Sequence, residues 1–272
     1  MDSPLLNFTA IPTSTSDTIQ VPKGYSISNL MSWGDPIFAN APEFNADGKQ
    51  DSKAQEMQFG DNTDGMSLFP ISKDRAILAV NNEYTNYKHL FSHQGASLTE
   101  DDVKKAQATH GVTIVELVRK NGQWMMDQNG KANRRITANT EMKVTGVAAG
   151  HDLLKTKADP TGTKVLGTLN NCANGETPWG TYLTCEENFH GYFGANKEMS
   201  LNDDYQRYGV KVAESKYKWE KSDQRFDLEQ NPNEPHRFGW VVEIDPNDPT
   251  STPLKRTALG RFKHENATFN NV

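Results

Sequence analysis

The sequence predicts a mainly β fold, built as a propeller-like meander of short antiparallel strands with helical insertions. Short runs of β-forming residues recur along the chain, and turn residues separate them. Asn121 and Gly122, between two such runs, indicate a hairpin, because both residues readily take the positive φ values that a tight turn needs. The predicted strands are residues 76–81, 113–119, 123–127, 164–168, 181–185, 240–244 and 254–259.

Two helical insertions are predicted. Ser97 and Glu100 have the spacing of a capping box, in which two side chains bond to backbone N–H groups at the start of a helix. The box leads into a helix over 101–109, which Gly111 stops. A second helix is predicted near 202–208.

Residues 211–237 are predicted to be a charged insertion or long loop. The segment is poor in aliphatic residues and contains two prolines, so we expect it to contribute little to the core. Trp219, Phe226 and Phe238 are interpreted as ordinary packing residues that anchor it.

The composition excludes two classes of partner. The formal charge at pH 7 is -6, from 35 Asp and Glu against 29 Lys and Arg, so the chain lacks the basic surface of a nucleic-acid-binding protein. Mean hydropathy is -0.75, and no apolar stretch approaches the length of a membrane span. The sequence therefore predicts neither a nucleic-acid nor a membrane partner.

Both cysteines, Cys172 and Cys185, lie in one run, residues 170–189. A thiol, two adjacent carboxylates, side-chain amides and turn residues crowd this run, which is how a chain assembles a mixed metal site. The alternative is a disulfide between the two cysteines, and composition alone favours the disulfide.

Glu186 and Glu187 follow the strand predicted over 181–185. Adjacent residues of a strand point to opposite faces, so both carboxylates can enter one site only at a bulge or a strand end. We expect Glu187 to be the residue that points into the site.

Glu83 lies where the predicted strand 76–81 opens into a loop, a common position for a ligand. The alternative for Glu83 is a carboxylate that satisfies a turn or pairs with Lys88. Residues 61–65 are similar to the opening of a helix-loop-helix calcium loop, but Ser72 stands at the twelfth position, so we interpret them as a solvated turn. His264 is interpreted as a surface partner of Glu265, with an outer role at a metal site as the alternative.

The run 170–189 resembles the signature of the PhoX-type bacterial alkaline phosphatases. Other stretches also resemble this family and keep its order from one end of the chain to the other. These stretches are residues 33–36, 59–64, 79–85 and 259–265, with Asn82 where the family often has histidine.

The resemblance implies a ligand set. It makes Cys172 an iron-bound thiolate and Glu187 and Glu265 iron-binding carboxylates, so Cys172 cannot be half of a disulfide and Cys185 becomes a buried free thiol. Glu83 and Glu186 are expected to be calcium ligands or outer partners of the cluster. The expected cofactors are iron and calcium, and no side chain is expected to act as the nucleophile.

The resemblance also implies an exported, calcium-dependent enzyme that hydrolyses phosphate monoesters, with a propeller-based fold. Residues 1–272 are expected to be the amino-terminal portion of a single phosphatase domain. Residues 1–5 lack the features of a signal peptide, so either export is absent or the leader was left out. Because members of the family typically carry a twin-arginine leader, the resemblance implies a periplasmic or secreted protein whose leader is absent from this chain.

Two other hypotheses remain open. The first is a calcium-stabilised extracellular β-domain that acts as a non-catalytic binding module, with Cys172 and Cys185 joined. The second is an incomplete scaffold whose metal site never forms. Unpaired strand edges of an incomplete propeller also make an edge-to-edge homo-oligomer a hypothesis.

Overall fold

The computed structural model describes residues 8–195, 197 and 199–270, and most of its regular structure lies in two β-sheets. The strands are β1 (Thr63–Ser72), β2 (Arg75–Asn82), β3 (Gly111–Lys120), β4 (Gln123–Met126), β5 (Arg134–Ile136), β6 (Glu141–Thr145), β7 (Lys164–Leu166), β8 (Asn171–Glu176), β9 (Tyr182–Glu186), β10 (Val241–Ile244) and β11 (Leu254–Arg256). The helices are α1 (Ser52–Gln55), α2 (Tyr87–Leu90), α3 (Glu100–Thr109) and α4 (Asp203–Tyr208). Short 3-10 helices of one turn are formed by Asp152–Leu154, Phe189–Tyr192, Trp219–Lys221, Gln224–Phe226, Glu234–Arg237 and Thr257–Leu259.

The first sheet is an antiparallel meander in the order β1-β2-β3-β4, with β5 also paired to β3. Lys120 pairs with Gln123 across the β3–β4 turn. Asn121 and Gly122 between them have φ values of 52° and 82°, which confirms the predicted hairpin.

The second sheet has the order β7-β6-β11-β10-β9-β8. All its pairs are antiparallel except β11 with β6, so the prediction of an antiparallel meander is wrong at this pair. The mainly β class is confirmed, whereas the propeller arrangement stays a prediction. The predicted strand 254–259 ends at Arg256, because Thr257–Leu259 form a 3-10 turn.

The capping box of helix α3 lies two residues after the predicted one. Thr99, not Ser97, is the N-cap: its hydroxyl accepts from the Asp102 N–H at 3.1 Å, and its own N–H donates to the Asp102 carboxylate at 2.8 Å. Helix α4 confirms the second predicted helix, with Asn202 as its N-cap. No helix within the described ranges is long and apolar enough to cross a bilayer.

The segment 211–237 has only 3-10 turns as regular structure, yet the expectation that it contributes little to the core is wrong. Tyr217, Trp219, Phe226 and Leu228 are buried in the largest hydrophobic cluster of the described chain. The packing role predicted for Trp219, Phe226 and Phe238 is confirmed, since all three are fully buried.

One buried amide joins the two sheets where the candidate site lies. The Asn81 side chain on β2 donates to the carbonyl groups of Cys172 and, at 3.2 Å, Ala173 on β8. Its oxygen accepts from the hydroxyl groups of Tyr182 at 2.9 Å and Thr184 at 2.8 Å, both on β9. The ends of strands from both sheets are thereby held against each other.

Candidate metal centre

Five potential ligands converge where the two sheets meet. Asp64, Glu83 and Cys172 form one group, and Cys172, Glu187 and Glu265 form another. Within each group one ligand atom of every residue lies within 4.8 Å of the others, and Cys172 is common to both. The structure therefore brings together four of the residues singled out from the sequence and adds Asp64.

Two glycines allow this convergence around β8. A Cβ at Gly65 of β1 would lie only 2.8 Å from the Asn174 nitrogen of β8, so glycine permits the two strands to approach. A Cβ at Gly175 would overlap the carbonyl oxygen of Ala267 in the segment that carries Glu265. That segment is fixed further by the Ala173 N–H, which donates to the Glu265 carbonyl at 3.0 Å.

Cys172 lies at an irregular point of β8. The register between β8 and β9 shifts between Asn171 and Asn174, so a bulge separates Cys172 from the regular ladder. The sulfur lies 3.1 Å from the Asp64 carboxylate and 3.2 Å from the Glu265 carboxylate. A thiol has one proton, so it can donate to only one of these carboxylates at a time.

Glu187 lies in the cluster, and Glu186 does not. Strand β9 ends at Glu186, and the Glu186 side chain is fully buried. Its Oε1 lies 2.7 Å from the ammonium nitrogen of Lys255, away from the cluster. The other Glu186 oxygen accepts from the N–H groups of Gly239 at 3.0 Å and Trp240 at 3.1 Å. The expectation that Glu186 could bind calcium is corrected, because its oxygens are already satisfied within the protein.

Glu83 follows β2 and faces the cluster, with Asn170 as its partner. The Asn170 amide donates to the Glu83 carboxylate at 3.2 Å, while the Asn170 side-chain oxygen accepts from the Asn188 N–H at 2.6 Å. The Asn170 carbonyl accepts from the Glu187 N–H at 3.0 Å. Asn170 thus links two ligand-bearing loops, and among the described ion pairs none joins Glu83 to Lys88.

Sequence reasoning missed Asp64 as a candidate ligand. Residues 61–65 were expected to form a solvated turn, but β1 begins at Thr63 and runs through Ser72. The rejection of a helix-loop-helix calcium site is confirmed, because Ser72 lies in a strand. The signal that could have found Asp64 was its place at the end of the stretch 59–64, one of those that carry the family resemblance.

The electrostatics of the cluster favour protonated groups in the absence of a cation. Burial raises the pKa of Glu83 to about 7, and repulsion from Asp64 and Glu187 adds to the shift. Burial raises the pKa of the Glu187 carboxyl, and repulsion from the Glu265 carboxylate raises it further. Burial raises the pKa of the Cys172 thiol well above its usual range, and its hydrogen bonds to the two carboxylates raise it further.

This donor set fits a mixed metal site. Four carboxylates meet one thiol, and none of the ion pairs found in the described part of the chain involves these carboxylates. A thiolate binds transition metals such as iron, whereas carboxylate oxygens also suit calcium. A bound cation would supply the positive charge that the surrounding side chains do not.

The two cysteines are separate and free. Cys185 is fully buried on β9, against Leu183 and Val241, and burial raises the pKa of its thiol to about 12. The disulfide favoured by composition is therefore wrong. The free thiol implied by the family resemblance is confirmed.

His264 is buried and not part of a surface pair. Its ring contacts the Gly260 carbonyl at 3.0 Å, and its backbone N–H donates to the Glu186 carbonyl at 3.1 Å. The interpretation as a surface partner of Glu265 is wrong, because only 3% of His264 is exposed. Its observed role is to tie the segment before Glu265 to the end of β9.

Comparison with known proteins places this chain in a family. The family model described as Alkaline phosphatase PhoX matches residues 6–271. A solved structure, Pseudomonas fluorescens PhoX in complex with vanadate, a transition state analogue, is 56% identical and superposes with a TM-score of 0.93. The match covers 95% of this chain and 45% of the Pseudomonas chain, so this chain spans less than half the length of that protein. No curated protein matched. On the family match and on this identity, the chain belongs to the PhoX alkaline phosphatase family.

Proposed function

We propose that this chain belongs to a metal-dependent phosphatase that hydrolyses phosphate monoesters, and that it contributes ligands of the metal centre. The Pseudomonas relative is described in complex with vanadate, a transition state analogue. Support from this chain's own residues is the convergence of Cys172 with four carboxylates that form no ion pair within the described part of the chain. That convergence is the observation on which the proposal depends.

We assign iron to the group of Cys172, Glu187 and Glu265, because it combines the thiolate with two carboxylates. We assign calcium to the side of the cluster with Asp64 and Glu83, since hard oxygen ligands suit that ion. When bound, the metals supply electrophilic stabilisation of the phosphoryl oxygens.

The chain's own residues hold and orient this centre. Asn170 fixes the Glu83 carboxylate through a hydrogen bond of 3.2 Å and positions the backbone of Glu187 through one of 3.0 Å. The irregular register of β8 presents the Cys172 sulfur. Cys172 is buried and Asp64, Glu83 and Glu187 are partly buried, which strengthens their electrostatic interaction with a bound cation, whereas Glu265 is exposed.

The finer expectations belong to the same proposal. They are a propeller-based fold, a periplasmic or secreted location, and small phosphate monoesters as substrates. An edge-to-edge homo-oligomer is a further proposal, and light scattering that gives a monodisperse monomer would contradict it. The non-catalytic binding module is not favoured, because its disulfide between Cys172 and Cys185 is not formed.

The test compares the two thiols. The protein is reconstituted with iron and calcium, and hydrolysis of p-nitrophenyl phosphate is followed in Cys172→Ala and Cys185→Ala. We expect Cys172→Ala to lose both iron and hydrolysis, and Cys185→Ala to retain both. Equal activity and metal content in the two variants would contradict the proposal.

A further inference from the structure

A cavity of about 310 Å³ lies beside the metal cluster and shares Glu83 and Asn170 with it. The 3-10 turn Phe189–Tyr192 and residues 216–217 contribute further walls. The volume is at the lower end of the range for small-molecule sites, which is about 300 to 1,000 Å³. The cavity is therefore of the size that suits a small organic molecule.

One lining residue of the cavity, Lys216, carries a positive charge. Lys216 is the only lysine or arginine among the described lining residues, and its ammonium group lies 5.3 Å from the ring centroid of Tyr84 and 5.0 Å from that of Tyr217. None of the described ion pairs involves Lys216. His190 adds no charge at neutral pH, because burial and then Lys263 and Lys211 lower its pKa to about 4.

Neutral donors surround this charge. Tyr192 and Tyr217 line the cavity and are only 1% and 3% exposed. The two hydroxyl groups interact with each other, and that of Tyr192 also interacts with Asn170, but none of these contacts has the geometry of a full hydrogen bond. Each hydroxyl group therefore keeps the capacity to donate to a ligand or water in the cavity.

The cavity is thus lined by groups of unlike character. Glu83 belongs to the cluster, and the Lys216 ammonium group lies above two aromatic rings, one of which is that of Tyr84, next to Glu83 in the sequence. Because Glu83 belongs to both the cluster and the cavity, the cavity is a place for the alcohol part of a phosphate monoester whose phosphoryl group binds at the cluster. An anionic substituent on that alcohol part would be attracted to Lys216.

We propose that this cavity binds the alcohol part of the ester, and that Lys216 selects esters whose alcohol part carries a second anionic group, such as a carboxylate. This inference rests on the proposed phosphatase function. It adds a substrate class, small phosphate esters with two anionic ends, to the reaction.

The test uses two esters that differ in one charge. 3-Phosphoglycerate has a carboxylate where glycerol 3-phosphate has a neutral hydroxymethyl group. We expect the metal-loaded protein to prefer 3-phosphoglycerate, and the ratio of the two kcat/KM values to fall about tenfold in Lys216→Met, because a charge-assisted hydrogen bond is lost. Lys216→Arg should keep the preference, and Lys88→Met, an exposed lysine outside the cavity, should not change it.

The outcomes separate this inference from the proposed function. If both esters are hydrolysed and the ratio does not depend on Lys216, the inference is overturned and the phosphatase function stands. If neither ester is hydrolysed, the phosphatase function fails, and calorimetric binding of the two compounds to the metal-loaded protein decides. Tighter binding of 3-phosphoglycerate that is lost in Lys216→Met supports the cavity assignment, whereas binding that is equal or independent of Lys216 overturns it.

Discussion

Glu186 and Glu187 are neighbours in sequence but lie in opposite electrostatic environments. Glu186 is fully buried, and a lysine and two backbone N–H groups satisfy its oxygens. Glu187 faces Glu265 and the Cys172 thiol, and no ion pair found in the described chain involves it. The end of β9 separates the two environments.

The difference shows how a fold distinguishes a structural carboxylate from a candidate metal ligand. The charge of Glu186 is balanced inside the protein by the Lys255 ammonium group. Lys255 is itself held in place, because it donates to the Arg237 carbonyl at 3.0 Å and lies 3.9 Å from the Phe238 ring centroid. The charge of Glu187 has no such balance, so a cation is needed to stabilise its ionised form. Removing Lys255 should therefore lower the free energy of unfolding, and adding a metal that Glu187 binds should raise it.

The largest expected effect is loss of the buried pair. Lys255→Met leaves Glu186 buried without its cation, which should lower the free energy of unfolding by about 3 to 5 kcal/mol. Replacing both residues, Glu186→Gln with Lys255→Met, should recover most of this loss. Denaturant unfolding of the metal-free protein measures both.

The matched control is an exposed pair. Lys164 and Glu141 lie 3.5 Å apart and are 64% and 62% exposed, so Lys164→Met should change stability by less than about 1 kcal/mol. Equal losses of unfolding free energy in Lys255→Met and Lys164→Met would contradict the expected large contribution of the buried Glu186–Lys255 pair.

The next effect is metal-dependent stabilisation of the cluster. Metal at about 100 times its dissociation constant should stabilise the folded protein by about 2.7 kcal/mol, since the unfolded chain lacks the assembled site. Glu187→Gln should remove most of this gain without loss of metal-free stability, because it also removes a repulsive charge. Thermal unfolding with and without iron and calcium measures the gain.

A control for Glu187→Gln is Glu176→Gln, at the exposed end of β8 and outside the cluster. It should keep the full metal-dependent gain. A gain that Glu187→Gln leaves intact would contradict the assignment of Glu187 as a ligand.

A smaller effect is the pH dependence of the metal-free protein. The pKa of Glu83 is raised by burial to about 7 in the folded state, above the ordinary value of 4.5. The folded state therefore holds the proton more tightly, so the contribution of Glu83 to stability is fully present below pH 4.5 and is lost as the pH rises through 7. As the pH rises from 4.5 to 8, the melting temperature of Glu83→Gln should fall less steeply than that of the unsubstituted protein. Identical slopes would contradict the raised pKa of Glu83.

The smallest effect concerns thiol reactivity. Cys172 is 8% exposed, Cys185 is fully buried, and burial raises the pKa of both thiols, so neither should react with a thiol reagent in the native metal-free protein. Both free thiols should react after denaturation. Fewer than two reactive thiols in the denatured chain would indicate a disulfide and contradict the structure.

Local patterns predicted the elements that depend on local chemistry. The Asn121-Gly122 turn and the helix from Asn202 were found because positive φ values and N-capping are properties of a few neighbouring residues. The parallel pairing of β11 with β6 was not found, because it joins residues more than 100 positions apart and leaves no local periodicity. The burial of 211–237 was missed for the same reason.

The candidate site was predicted in part. Alternation along a strand separated Glu186 from Glu187, and the family resemblance brought Cys172 and Glu265 to one site. Asp64 ends the stretch 59–64 that carries the family resemblance, which was the only signal for it, because no local pattern indicates that β1 lies against β8. The lysine that balances Glu186 was equally invisible, since Lys255 is 69 positions away.

The most direct test of the central claim is the iron and calcium content of the purified protein, compared with that of Cys172→Ala. The account predicts that the protein binds both metals, that iron is lost in Cys172→Ala, and that Cys185→Ala retains it. A folded protein that binds neither metal, or binds iron equally well without Cys172, would contradict it.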